Sequence, residues 1–210
     1  AAGPDEVSNL APEQLTQPIL RVGPDEGEFR LSLMPLFRDP DGQDFYFLDL
    51  AEAGGDAPIT WRTEANNSVI VASAPIGATA GTTKTLTGSV VDALGASRDF
   101  EVIMEMISSS MPLTTTVTDV VEDAQAGVPV RVPVLANDTS HLNDPTLTVE
   151  SARVISGSGT AEVEENGIVV ITPDEGFVGT LTASYTVMDA TGDPGRLQDG
   201  SIRVNVSDVP

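Results

Sequence analysis

Residues Val90-Val91-Asp92-Ala93-Leu94-Gly95 read V-x-D-A-x-G, and Val187-Met188-Asp189-Ala190-Thr191-Gly192 read the same. An alternating apolar run leads into each motif and another leads out: residues 86–91 then 100–106, and 181–187 then 202–206. Aspartate bonds nearby backbone N–H groups and glycine tolerates positive φ, so each motif reads as the turn of a hairpin. Asp92 and Asp189 stand 97 residues apart, close to the length of one two-sheet sandwich. One β-domain is written twice.

The repeat continues upstream. Asn67-Ser68-Val69-Ile70-Val71 matches Asn166-Gly167-Ile168-Val169-Val170, and Leu36-Phe37-Arg38-Asp39 matches Leu135-Ala136-Asn137-Asp138, both at an offset of 99. The slip from 99 to 97 falls in the Gly- and Ala-rich stretch 74–83, where a loop absorbs a length change that a strand does not.

Apolar alternation predicts seven short strands in each copy, separated by Gly, Pro, Asp and Asn turns. In the first they fall near 20–22, 29–33, 45–50, 59–63, 68–72, 85–91 and 98–106; in the second near 116–121, 128–134, 147–155, 160–164, 168–172, 181–187 and 202–206. Val128, Val130, Val132 and Val134 form an inward row, and Pro129 and Pro133 between them suit an edge strand, since proline cannot donate to a ladder. Residues 1–16 lack periodicity and read as an N-terminal tether. Domain 1 is expected over 17–110 and domain 2 over 111–210, with Ser108-Ser109-Ser110-Met111-Pro112 at the boundary. Phe45 to Ala53 is also compatible with a short helix. The fold class is all-β: two tandem β-sandwiches with Greek-key connections.

The chain of 210 residues carries 32 acidic and 10 basic residues, a net charge of −22. Each half, divided after Ser110, contributes −11, so the acidity belongs to both copies rather than to a tail. Such a field repels nucleic acid and anionic lipid and attracts divalent cations or basic partners. Without cysteine there is no disulfide, thiol nucleophile or Cys-ligated zinc. No apolar run of membrane-spanning length occurs, so direct membrane insertion is not expected. The start at Ala1 and the linker-like end at Ser207-Asp208-Val209-Pro210 read as a segment of something longer.

Several runs resemble the cadherin-like, Ig-like tandem repeats of large bacterial surface proteins: Val134-Leu135-Ala136-Asn137-Asp138-Thr139; Ile171-Thr172-Pro173 with Gly176-Phe177 and Gly179; and Tyr185-Thr186-Val187-Met188-Asp189. The resemblance covers nearly all of 116–207 and, more weakly, 17–107. The first copy keeps Asp39-Pro40-Asp41-Gly42 but has Gly88 where the tyrosine would stand. The second has Ser140-His141-Leu142-Asn143-Asp144 where the family has an acidic run. The resemblance implies two immunoglobulin-like sandwiches in an extracellular or cell-surface location. It also implies a non-catalytic spacer or adhesion segment whose partners are neighbouring repeats of the same chain, other surface proteins or polysaccharide. An accessory module of a secreted enzyme, spacing a catalytic domain or binding carbohydrate, is the alternative.

Calcium is the one cofactor these residues raise. Asp39, Asp41 and Asp44 offer oxygens at alternating loop positions, as calcium requires, and in this kind of sandwich Asp92 lies at the same end. In the second copy Asp138 and Asp189, with Asp144 and Asp193, are expected to gather likewise. The competing reading is that these aspartates bond their own turns. Cadherins hold calcium between domains, and a weak site at this joint is the corresponding expectation, although the family's D-x-N-D-N linker is absent. His141 is the only histidine, which leaves one Ser-His-Asp triad at most and a poor zinc set, and no G-x-S-x-G elbow accompanies it. No enzyme is expected here. Tyr46, Tyr185 and Trp61 are few for a sugar-stacking platform, and Trp61 and Tyr185 read as core.

Overall fold

A computed structural model describes residues 8–208. The chain divides into two units, Ala1–Ser109 and Ser110–Pro210. The first holds β1 (Glu13–Gln14), β2 (Ile19–Val22), β3 (Phe29–Ser32), β4 (Phe37–Arg38), β5 (Phe45–Gly54), β6 (Thr60–Glu64), β7 (Val69–Ser73), β8 (Thr83–Asp92) and β9 (Ser97–Met106). The second holds β10 (Asp119–Gln125), β11 (Val130–Pro133), β12 (Thr148–Ser156), β13 (Gly159–Glu164), β14 (Ile168–Pro173), β15 (Gly179–Met188) and β16 (Gln198–Ser207).

Both units follow one plan. The larger sheet runs β2-β9-β8-β5 in the first and β10-β16-β15-β12 in the second; the smaller runs β3-β7-β6 and β11-β14-β13. All these pairs are antiparallel except one in each unit, where the leading strand lies parallel to the last: Ile19 opposite Ile103, and Asp119 opposite Ile202. The chain changes sheet between β2 and β3, β3 and β5, β5 and β6, and β7 and β8, the Greek-key connectivity of an Ig-like sandwich.

Alternation builds each core. Leu86 and Val90 of β8, with Val102, Met104 and Met106 of β9, meet Ile70 and Ala72 of β7. In the second unit Leu181, Ala183, Tyr185 and Val187 of β15 and Ile202, Val204 and Val206 of β16 meet Val132, Val169 and Ile171. Phe37, Phe47 and Phe100 pack edge to face at centroid distances of 5.0–5.8 Å. With no disulfide, such packing carries the burial that stabilises each unit, at about 25 cal/mol per Å2 of apolar surface.

Cross-strand pairing explains why the first unit lacks the tyrosine. Gly88 faces Phe100 across β8 and β9, whereas Tyr185 faces Gly200 across β15 and β16. One aromatic ring fills this position in each unit, carried by opposite strands. A Cβ on Gly200 would lie 2.1 Å from Tyr185 Cζ, so the glycine makes room for the ring.

The strand expected near 45–50 is present and longer, over Phe45–Gly54, because it pairs with β8 as an edge, and the short-helix alternative falls away. Elsewhere the structure differs from the sequence reading. Val128 is 49% exposed, outside the strand, so the inward row begins at Val130. Trp61 only half-enters the core, because its indole Nε1 donates to Glu52 at the surface, 2.9 Å away. Residues 8–16, read as tether, are pinned to the first unit: Glu13–Gln14 pairs with Phe37–Arg38, Leu15 N donates to Leu36 O, and Arg98 Nε donates to Pro12 O. Residues 1–7 of that tether, and the linker-like residues 209–210, lie outside the described residues.

Candidate functional site

In each unit aspartates of the loop after the second sandwich strand and of the last hairpin accept from backbone N–H groups and from side chains. Asp39 is buried; its Oδ1 accepts from the N–H groups of Asp41 and Gln43, closing the turn in which Gly42 takes a positive φ. Asp41 Oδ2 accepts from Leu10 N at 2.8 Å. Asp92, at the hairpin, takes Leu94 N and Ala96 N on Oδ1 and the Asn9 amide on Oδ2. Burial would raise its pKa, but the Asn9 amide and the N–H groups of Ala96, Leu94 and Gly95 together hold it below the ordinary value of 3.8. Asn9 in turn accepts from Gln43 Nε2, which ties the loop of Asp39 to the hairpin of Asp92. Asp44 stays exposed.

In the second unit Asp138 caps a tight turn over Val134–Asn137. Its Oδ1 accepts from Val117 N, and its Oδ2 accepts from the buried Tyr185 hydroxyl at 2.6 Å. Burial, and then the Asp138 carboxylate, hold that phenol well above its ordinary pKa, so it stays a donor. Asn137 Nδ2 donates to Asp119, whose carboxyl burial raises to about 6 against that amide, with Asp138 adding repulsion. The family-like run through Asn137 and Asp138 and the tyrosine of β15 are therefore one network. Asp189 Oδ1 accepts from Thr191 N and Thr191 Oγ1, and its Oδ2 from Arg196 Nε at 2.8 Å. Arg196 also donates to the carbonyls of Met111 and Pro112.

The six expected aspartates thus divide. Asp39, Asp41 and Asp92 are joined through Asn9, Leu10 and Gln43, while Asp44 is exposed. Asp138 and Asp189 serve separate anchors, and Asp144 and Asp193 cap Thr146 N and Gly195 N within their own loops. Calcium takes 6–8 oxygen ligands. Buried oxygens without a partner at the first unit's end are Asp39 Oδ2 and Gln43 Oε1. At the second unit's hairpin the Asp189 carboxylate already faces a guanidinium. Among the described residues no three His, Asp or Glu side chains come together to hold a metal. The sequence reading missed Asn9 and Arg196. Only Arg196 carried a signal, as the one cation in an acidic hairpin.

Residues 110–205 match the family model described as Bacterial Ig domain. The second unit is a bacterial Ig-like repeat. No curated protein matches the chain. Among solved structures, hemolin, an insect immune protein, is 14% identical, with 97% of this chain and 49% of that chain covered and a TM-score of 0.44. Drosophila N-cadherin is 11% identical over 95% of this chain and 50% of that chain, at 0.40. An endo-fucoidan hydrolase of glycoside hydrolase family 107 is 15% identical over 100% of this chain and 31% of that chain, at 0.34. The chain spans half or less of each of these. Among the described residues no helix is long and apolar enough to cross a membrane.

Proposed function

We propose that this chain is a non-catalytic spacer segment of a bacterial cell-surface or secreted protein, shaped to bear tension along the polypeptide. The observation that carries this reading is the parallel pairing of leading and last strands in both units, β2 with β9 and β10 with β16. When the two ends of such a unit are drawn apart, the paired strands are pulled in opposite directions. Their hydrogen bonds lie across the strands, so they are loaded together in shear rather than opened one after another. The side chains at the leading end support the same reading, because they fasten the entering chain: the carboxylates of Asp92 and Asp41 hold Asn9 and Leu10 in the first unit, and in the second Asp138 holds Val117 while Arg196 holds the carbonyls of Met111 and Pro112.

The test is single-molecule stretching of the whole chain, with Val120→Pro and Val121→Pro compared with the parent. Backbone N–H groups alternate in direction along a strand, so one of these prolines removes a ladder donor to β16. The expected result is two unfolding events per molecule, one of which drops in force in one proline variant. Unchanged forces in both variants would end the load-bearing reading.

A further inference from the structure

The β15–β16 connection runs from Asp189 to Leu197, against Ala93 to Ala96 for its counterpart in the first unit. The added residues form a turn over Pro194–Arg196, capped by Asp193, which sends the Arg196 side chain inward. There the guanidinium is held by Asp189 Oδ2 at 2.8 Å, Met111 O at 2.8 Å and Pro112 O at 3.0 Å. These acceptors are one carboxylate oxygen and two main-chain carbonyls, the oxygen types a hard divalent cation selects. The equivalent aspartate of the first unit, Asp92, is answered by the neutral amide of Asn9.

We propose that Arg196 is a resident cation: its guanidinium takes the place of a divalent ion between the hairpin aspartate and the entering chain, and makes this end of the second unit independent of metal. The calcium expected from family resemblance does not fit at Asp189 because the side chain of Arg196 already neutralises that carboxylate. Removing the guanidinium takes its donors away from Asp189 Oδ2 and the carbonyls of Met111 and Pro112, and the end then becomes metal-dependent.

The experiment is hydrogen exchange followed by mass spectrometry on the whole 210-residue chain, read over residues 111–118 and 187–198. Wild type, Arg196→Ala and Arg196→Lys are compared in chelator and in millimolar calcium, with sodium chloride at matched ionic strength. Wild type is expected to be equally protected in all three conditions. Arg196→Ala is expected to lose protection in chelator by tenfold or more and to regain part of it in calcium but not in sodium. Arg196→Lys keeps a cation within reach and is expected to stay folded and indifferent to calcium, which preserves the test if the alanine variant does not fold. A calcium response in wild type or in the lysine variant overturns the proposal. So does an alanine variant that keeps its protection in chelator, that calcium fails to restore, or that sodium restores equally.

Discussion

Asp189 and Arg196 form an ion pair of 2.8 Å whose side chains are only 1% and 5% exposed. Most charged pairs of this protein lie at the surface, where each is worth little: the Arg30, Arg62, Glu28 and Glu64 group on the β3-β7-β6 sheet is about half exposed throughout. The Asp189 pair differs because both charges have left water and depend on each other. Asp189→Asn should therefore destabilise the second unit by about 3–5 kcal/mol, the usual cost of orphaning a buried charge. The double replacement Asp189→Leu with Arg196→Met should cost clearly less than the sum of the single changes. Denaturant unfolding monitored by exchange in the second unit checks both; additive effects would show that the two residues are not coupled.

The ring of Tyr185 leaves no room on the facing strand. Gly200→Ala should cost upward of about 1–3 kcal/mol by overpacking, since its Cβ would meet Tyr185 Cζ and Oη at 2.1 and 2.4 Å. Tyr185→Leu in the same molecule should recover part of that loss. Gly88→Ala meets the mobile end of Leu50 at 2.8 Å and should be milder. Thermal melting of the three variants gives the ranking.

Burial pushes the Asp119 carboxyl up to about 6, against the Asn137 amide and with Asp138 adding repulsion. The folded state then holds this proton more tightly than the unfolded chain, whose ordinary value is 3.8. The second unit should therefore gain stability as pH falls from about 6 toward 4, and lose it as pH rises through the same window. Asp119→Asn should abolish that slope. Carboxyl NMR titration of Asp119, beside melting at several pH values, decides the matter.

Register on β11 yields a sharper contrast. Val132 is 4% exposed and faces Val169, whereas Arg131 is exposed and pairs with Glu164 at 2.6 Å. Val132→Asp buries a charge without a partner and should cost several kcal/mol or prevent folding. Arg131→Asp should change stability by less than about 1 kcal/mol. Equal effects in a denaturation series would mean that the strand is paired one residue out of step.

These cases mark what the sequence could reveal. Strand positions and the edge character of β11 were legible because alternation and proline placement act within a few residues. The hairpin turns were legible from Asp92 and Asp189 for the same reason. The roles of those aspartates were not. Their partners are the amide of Asn9 and, through Arg196, the carbonyls of Met111 and Pro112, about eighty residues upstream. A main-chain carbonyl has no sequence signature, and Asn9 lies in a stretch without periodicity. The opposed glycine and aromatic at Gly88–Phe100 and Gly200–Tyr185 became readable only once strand pairing was known.

The load-bearing account rests on the parallel pair β10–β16, and pulling direction tests it directly. The chain has no cysteine, so handles can be placed at will. Thr118→Cys with Asp208→Cys pulls the two strands from opposite ends, in shear. Ala126→Cys with Asp208→Cys pulls from the same end, where Gln125 lies opposite Ser207, and opens the pair bond by bond. At one pulling speed the shear geometry should require a markedly higher unfolding force than the opening geometry. Equal forces in the two geometries would contradict the account.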